Sequence, residues 1–91
     1  MAMTGVSGTK YHFIGIGGIG TSGLAKILIK NGAVVSGSDM EDSEVVDNLR
    51  RLGAVVAIGH RPENISPATD EGVISPAVTA ANPELERAPG L

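Results

Sequence analysis

A short apolar segment that runs into a cluster of glycines, and then into a helical pattern, is the dominant feature of this 91-residue chain. Residues Tyr11–Ile14 are apolar and end at a glycine, as a buried parallel strand does. Beyond the glycines, Leu24, Ile27 and Leu28 recur at the i, i+3, i+4 spacing of one helix face. This spacing predicts a helix over about Gly18–Lys30. A strand, a glycine turn and a helix in this order indicate an α/β fold.

The glycines fit the pattern G-x-G-x-x-G, with Gly15, Gly17 and Gly20 in its three positions and Gly18 as an extra glycine. Such a turn lets backbone N–H groups approach an anion, because glycine tolerates positive φ and has no Cβ. The helix start adds unpaired N–H donors and the positive end of the helix dipole. The pattern predicts a phosphate site, with a merely tight turn as the alternative. It differs from the ATP-binding P-loop, because Lys26 lies deep in the predicted helix.

Further strand and helix patterns alternate along the rest of the chain. We predict strands at Ala33–Gly37, Ala54–Ile58 and Gly72–Ser75. We predict a second helix that starts at Asp42 or Ser43, carries an apolar stripe of Val45, Leu49 and Leu52, and ends at Gly53, and a final helix over Asn82–Ala88. The alternation predicts one small α/β domain over residues 10–91, a Rossmann-like parallel sheet flanked by helices in three αβα layers. Residues 1–9 are interpreted as a flexible leader.

Polar residues stand where the predicted strands end, at the edge where sheets of this kind bind ligands. They are Ser38, Asp39, His60 and Ser75. Asp39 follows the glycine turn by roughly the 20 residues that separate such turns from a ribose-binding acid. It is therefore predicted to accept a hydrogen bond from a ribose hydroxyl, with capping of the next loop as the alternative.

For two of these residues the alternatives are evenly balanced. His60 either contacts a base or is a solvated loop histidine, and Ser75 either contacts a ligand or only ends its strand. His12 lies inside the first strand and is assigned to packing.

Composition excludes several other classes of function. The chain has no cysteine, and therefore neither disulfides nor thiolate metal sites. Its net charge of −3 provides no basic surface for nucleic acid, and no apolar run approaches the roughly 20 residues of a membrane span. No Ser–His–Asp arrangement or metal-ligand cluster stands out, so we predict no catalytic and no metal-binding residue. We expect a cytoplasmic protein that binds neither nucleic acid nor membranes.

Six blocks of residues carry a resemblance to a known family. They are His12–Gly20, Ser22–Ala25, Gly37–Asp39, Leu52–Ala54, Ile58–His60 and Asn82–Leu85. In this order they resemble the N-terminal domain of the Mur ligases, and the resemblance extends over Tyr11–Ala88. Within the family they are most similar to the members that join L-alanine to UDP-N-acetylmuramate, and next to the members that recycle a tripeptide.

The resemblance implies that this domain binds the UDP part of UDP-N-acetylmuramate. The glycine turn, with Gly15, Gly17, Gly18, Ile19 and Gly20, would hold the diphosphate at the start of the first helix. Asp39 and His60 would lie near the uridine. Ser75 matches a serine of the family, and we count Ser38 with these residues as a predicted contact of the UDP substrate. Thr21 and Pro76 replace a methionine and a serine common in the family, which bears on ligand contacts and not on the fold.

The chemistry of the family is ATP-dependent amide formation through an acyl phosphate. The resemblance implies that ATP, Mg²⁺ and L-alanine bind to a central and a C-terminal domain that these residues do not include. We therefore expect a fragment that binds no cofactor and does not ligate by itself.

The residues alone also allow two other functions. An NAD-binding Rossmann domain of a dehydrogenase, or a nucleotide-sensing regulator, would share the glycine turn and Asp39. It would have no required role for Gly59–His60 or for Asn82–Leu85. An interaction module without a nucleotide would leave the polar residues at one sheet edge unexplained.

Overall fold

The computed structural model describes residues 5–76, 78 and 81–86, which alternate between strands and helices. The strands are β1 (Lys10–Ile14), β2 (Val34–Asp39), β3 (Val55–Ile58) and β4 (Glu71–Ile74). The α-helices are α1 (Ile19–Lys30) and α2 (Glu44–Leu52), and 3-10 turns span Pro62–Asn64 and Pro83–Glu86. The predicted strands and first two helices lie within two residues of these bounds. No helix in the described ranges is long and apolar enough to cross a membrane.

The strands form a single parallel sheet in the order β3-β2-β1-β4. In its register, Phe13 of β1 lies between Gly37 of β2 and Val73 of β4. The chain steps from β1 through β2 to β3 in one direction and then returns to the far side of β1, so the strand order reverses between β1 and β4. The carboxyl ends of β1 and β4 therefore border the crevice in which such sheets bind ligands. The predicted α/β fold with a parallel sheet is confirmed.

Both α-helices cover the same face of the sheet and contact each other there. Two successive right-handed crossovers in the same direction place them on one side. The core between helices and sheet contains Phe13, Val35, Val56, Ala25, Leu28, Val46 and Leu49.

Helix α1 turns a different side to the sheet than its apolar spacing predicts. Leu28 is buried as predicted, but Leu24 and Ile27 are 37% and 47% exposed. The buried face consists of Thr21, Ser22, Ala25 and Leu28. Small side chains let the start of α1 approach the glycine turn closely, which the bulk of Leu24 would prevent.

Helix α2 begins as predicted but also packs with a shifted face. The Ser43 hydroxyl accepts a hydrogen bond from the N–H of Val46 at 3.3 Å and caps the helix start. The buried residues are Val46 and Leu49, whereas Val45 and Leu52 are exposed, so the predicted stripe is correct only at Leu49. One residue rotates a helix face by about 100°, so the side of α2 that carries Val46, and not the side that carries Val45, packs into the core.

A close approach between the glycine turn and β2 explains a glycine within that strand. Ile16 packs across Gly37, where a Cβ would lie 2.6 Å from Ile16 Cδ1 and 2.9 Å from the carbonyl oxygen of Phe13. Only glycine leaves room for this contact, because real Cβ atoms do not approach other atoms so closely.

The opposite face of the sheet is polar at its centre. His12 and Ser36 are paired in the register and alternate with Phe13 and Val35, so they point away from the α-helices. The two 3-10 turns contact each other over this face. In the described part of the chain, the third layer thus consists of 3-10 turns.

The predicted final helix is realised in part. The side-chain oxygen of Asn82 accepts a hydrogen bond from the N–H of Glu84 at 2.9 Å, which confirms Asn82 as the start. The described helical residues are Pro83–Glu86, and the predicted end at Ala88 lies outside the described residues.

Candidate functional site

A cavity of about 870 Å³ opens at the carboxyl ends of the strands, beside the point where the strand order reverses. It is lined by Gly15, Gly17, Gly18, Asp39, Met40, Glu41, Gly59, His60, Ser75, Val78, Ala81, Asn82 and Pro83. The structure thus brings most of the predicted site residues to one cavity. Ile19, Gly20 and Ser38 are not part of its wall, and the ligand contacts predicted for all these residues stay predictions.

The glycine turn is held by hydrogen bonds within the protein. Gly15 has a φ of +80°, and its N–H and that of Ile16 donate to the carbonyl oxygen of Ser38 at 2.9 and 3.0 Å. The N–H of Gly18 and the Thr21 hydroxyl both donate to the carbonyl oxygen of Gly15, at 3.2 and 2.8 Å. These N–H groups therefore shape the turn and are not available to a ligand in this conformation.

Asp39 ties the glycine turn to the loop after β2. One carboxylate oxygen accepts a hydrogen bond from the N–H of Gly17 at 2.9 Å, and the other accepts one from the N–H of Glu41 at 3.2 Å. The residue therefore performs the capping role that was the alternative prediction. A carboxylate offers about four lone-pair positions, so two of them remain for a ligand hydroxyl in the cavity.

The start of α1 presents unpaired donors beside this cavity. Its N-cap residue, Gly18, provides no side-chain cap, and the first intrahelical bond runs from the N–H of Ser22 to the carbonyl oxygen of Gly18. The N–H groups of Ile19, Gly20 and Thr21 find no acceptor among the described residues. Unpaired N–H groups and the positive end of a helix dipole are the features that favour an anion at a helix start.

Ser75 forms the back of the glycine turn. It is buried, and a Cβ on Gly15 would lie 2.8 Å from its Cβ. A Cβ on Gly18 would lie 3.2 Å from its hydroxyl oxygen. Ser75 therefore lines the cavity and also leaves no room for a side chain at Gly15 or Gly18.

A fully buried carboxylate, Glu84, lies behind the site and was not among the predicted site residues. One of its oxygens accepts hydrogen bonds from the Ser38 hydroxyl at 2.9 Å and from Nε2 of His12 at 2.6 Å. The other accepts from the Asn64 amide at 3.0 Å, from the backbone N–H of Arg61 at 3.0 Å and from Nδ1 of His60 at 3.2 Å. In the sequence, Glu84 stands only in the first turn of the helix predicted over Asn82–Ala88. The sequence signal that could have indicated a buried polar partner is the set of polar residues His12, Ser36 and Ser38, which lie on one face of the neighbouring strands β1 and β2.

Burial by itself raises the pKa of the Glu84 carboxyl, but the hydrogen bonds from Asn64, His12 and Ser38 and the charge of His12 outweigh it, so that the pKa is lowered from 4.5. A lowered pKa means that the folded protein binds fewer protons than the unfolded chain. The contribution of Glu84 to stability is therefore fully present above pH 4.5 and is lost as the pH falls through the folded-state value.

We expect the free energy of unfolding to decrease as the pH is lowered below 4.5, as measured by urea titrations at a series of pH values. The variant Glu84→Gln, which lacks the titrating group, serves as the control and should show a shallower decrease. An equal pH dependence in both proteins would contradict this role of Glu84.

Within the described residues, no group of three or more His, Cys, Asp or Glu side chains is arranged to hold a metal ion.

The fold and the site together define a Rossmann-like α/β domain with an uncapped helix start beside a cavity at the strand-order reversal. The chain belongs to the Mur ligase family: the family model described as "Mur ligase family, catalytic domain" matches residues 10–91. The family predicted from the six blocks is confirmed, and the comparisons do not support the dehydrogenase alternative.

Curated relatives and a solved structure agree with this assignment. The chain is 54% identical over 80 residues to the UDP-N-acetylmuramate–L-alanine ligase of Streptomyces avermitilis, covering 88% of this chain and 17% of that protein. It is 51% identical over 79 residues to the protein of the same name from Aquifex aeolicus, covering 87% and 17%. A murein peptide ligase from Psychrobacter arcticus matches with a TM-score of 0.80 and 26% identity over 87% of this chain and 17% of that chain. The present chain thus spans about a sixth of the length of these proteins.

Proposed function

We propose that this chain is the UDP-N-acetylmuramate-binding domain of an ATP-dependent UDP-N-acetylmuramate–L-alanine ligase, which acts in the cytoplasm in peptidoglycan synthesis. The observation that carries the proposal is the uncapped start of α1, with three unpaired N–H groups beside a cavity that Asp39 and His60 line. The curated relatives at about 50% identity support the choice of ligase.

In this proposal the diphosphate lies on the N–H groups of Ile19, Gly20 and Thr21. The positive end of the α1 dipole favours its negative charge. The uridine then lies along the cavity toward Asp39 and His60. The turn residues Gly15, Gly17 and Gly18 act by their missing side chains, because their N–H groups are already bonded or face Asp39.

The ligation itself belongs to other parts of the protein in this proposal. ATP would transfer its γ-phosphoryl group to the muramate carboxylate to form an acyl phosphate and ADP, and the amine of L-alanine would displace phosphate to form the amide. The residues of the glycine turn do not fit an ATP site, because Thr21 and not a lysine directly follows Gly20, and Lys26 lies within α1. We propose that ATP, Mg²⁺ and L-alanine bind outside these 91 residues and that the chain alone forms no product.

A ligase that uses a murein peptide is the second candidate, and the match to the Psychrobacter arcticus structure favours it. That match has 26% identity over 87% of the chain, against 54% over 88% for the L-alanine ligase of Streptomyces avermitilis. Both candidates place a UDP-linked muramate substrate on this domain.

Titration calorimetry with UDP, UDP-N-acetylmuramate and NADH tests the proposal. We expect saturable binding of the first two and none of NADH. Saturable binding of NADH without binding of either uridine nucleotide would overturn it.

The variant Gly20→Asp places a negative charge at the proposed diphosphate site without a clash, because no atom lies within 4 Å of a Cβ at Gly20. We expect UDP binding to weaken roughly tenfold or more through charge repulsion. The stability should stay equal or rise by about 0.3–1 kcal/mol, because an acid in the first turn of a helix is favourable.

Gly23→Asp is the matched control for this variant. No atom lies within 4 Å of a Cβ at Gly23, and the substitution adds the same charge about 4.5 Å further along α1. It should retain most of the affinity. Equal losses in both variants would show that UDP does not bind at the helix start.

A further inference from the structure

His60 stands between the cavity and the buried carboxylate of Glu84. Its ring lines the cavity and its side chain is 12% exposed. Nδ1 lies 2.8 Å from the hydroxyl oxygen of Ser38 and 3.2 Å from Oε2 of Glu84. Nε2 has no hydrogen-bond partner among the described residues, and every buried side-chain nitrogen and oxygen among them has a partner. Nε2 is therefore the ring atom that a molecule in the cavity can reach.

The hydrogen bonds around Nδ1 determine where the ring proton lies. The Ser38 hydroxyl donates its hydrogen to Oε1 of Glu84 at 2.9 Å, so its oxygen can only accept from His60. An ionised carboxylate also only accepts. Both neighbours of Nδ1 are thus acceptors, and Nδ1 carries the proton. In the neutral ring, Nε2 then presents a lone pair to the cavity.

Further hydrogen bonds fix the orientation of the Glu84 carboxylate. Oε2 also accepts from the backbone N–H of Arg61 and from the Asn64 amide, both at 3.0 Å, and Oε1 is 2.6 Å from Nε2 of His12. The backbone N–H is a donor in every state, so an acceptor must face it.

We propose that Glu84 is a positioning residue of this site, which holds His60 with its proton on Nδ1 so that Nε2 accepts a hydrogen bond from the ligand. This inference rests on the proposed function, because it assigns His60 to a nucleoside. The ligand group is a hydrogen-bond donor, either the imide N–H of a uracil base or a ribose hydroxyl. A phosphate oxygen does not fit Nε2 of the neutral ring, since both are acceptors.

The variant Glu84→Gln changes this arrangement in a defined way. Its amide oxygen must face the N–H of Arg61 and the amide of Asn64, which places its NH₂ group toward Ser38 and His12. The Ser38 hydroxyl then loses its acceptor and turns toward Nδ1 of His60 at 2.8 Å. The amide oxygen that still faces Nδ1 is neutral and lies at 3.2 Å, so it is a weaker partner than the carboxylate was and than the Ser38 hydroxyl at 2.8 Å, and we expect His60 to move its proton to Nε2.

The control variant Ser38→Ala leaves Oε2 of Glu84 as the acceptor for Nδ1. It should therefore keep the proton on Nδ1.

The first measurement is the ¹⁵N NMR spectrum of the histidine rings at a pH where His60 is neutral. The wild type and Ser38→Ala should show a protonated Nδ1, and Glu84→Gln a protonated Nε2. A wild-type ring protonated on Nε2 overturns the proposal. This outcome is measured on the wild type alone and therefore does not depend on the stability of a variant.

The second measurement is binding of UDP, 3-methyl-UDP, 2′-deoxy-UDP and inorganic pyrophosphate. We expect Glu84→Gln to weaken UDP binding about tenfold and to leave pyrophosphate binding unchanged, because the helix start is not altered. Loss of affinity with 3-methyl-UDP in the wild type assigns the donor to the imide. Loss with 2′-deoxy-UDP assigns it to the ribose if that loss disappears in Glu84→Gln, because Asp39 is also predicted to bind a ribose hydroxyl.

The two proposals fail in different ways. Full affinity for both analogues in the wild type, or an unchanged ring proton and UDP affinity in Glu84→Gln, contradicts the role of Glu84. If the wild type binds neither UDP nor pyrophosphate, the proposed function is wrong, whereas the ring proton still reports whether Glu84 positions His60.

Discussion

Replacement of Glu84 by alanine is expected to lower the free energy of unfolding by about 3–5 kcal/mol, the cost of removing a buried carboxylate that accepts several hydrogen bonds. The change would leave the buried side chains of His12 and Ser38 and the part-buried backbone N–H of Arg61 without their acceptor. Domains of this size have total stabilities of about 5–15 kcal/mol, so this loss brings the protein close to unfolding at room temperature.

Urea denaturation at neutral pH measures this effect, and Glu63→Ala is the matched control. Glu63 lies in the neighbouring 3-10 turn and is exposed, so its removal should change the stability by no more than about 0.5 kcal/mol. A loss below about 1 kcal/mol for Glu84→Ala would show that the polar face of the sheet does not depend on this carboxylate.

The second large effect is expected from Gly15→Ala, which should lower the free energy of unfolding by about 2–4 kcal/mol. Gly15 has a φ of +80°, which an alanine adopts only with strain. The added Cβ would also lie 2.8 Å from Cβ of Ser75 and 3.2 Å from a methyl group of Val78. Either Ser75 or the turn must move, so we also expect weaker UDP binding.

Gly53→Ala separates the two causes. Gly53 ends α2 with a φ of +114°, and no atom lies within 4 Å of a Cβ there. It should show the cost of the backbone conformation, about 1 kcal/mol, without the steric part and with UDP binding retained. Equal losses at both positions would mean that Ser75 gives way freely and does not hold the turn.

Most of the fold follows from local patterns in the sequence. Apolar runs that end at glycine mark β1 and β3, and Ser43 and Gly53 delimit α2 by the cap interactions that were expected of them. These signals act between residues close in the chain, so they can be interpreted without knowledge of the fold. The alternation of strands and helices then requires a parallel sheet, which places Asp39 and His60 at one edge.

The orientation of the helices could not be obtained in the same way. Leu24 and Ile27 have the spacing of a buried helix face, yet Thr21 and Ala25 face the sheet instead. The choice depends on how closely α1 must approach the glycine turn, and that distance is a property of the assembled layers. Gly37 is a similar case, since its lack of a side chain makes sense only with Ile16 lying across it.

By itself, the sequence determined that this protein folds as an α/β domain with a glycine turn at the head of its first helix, because each of these features depends on neighbouring residues. Only the tertiary structure decided which donors remain unpaired and what lies behind His60. Glu84 meets His12 from 72 positions away in the chain, and a buried charge shows itself only when strands and turns from distant segments surround it. The physical reason is that the hydrogen bonds of a buried network join residues far apart in the chain, so a pattern of neighbouring residues cannot predict them.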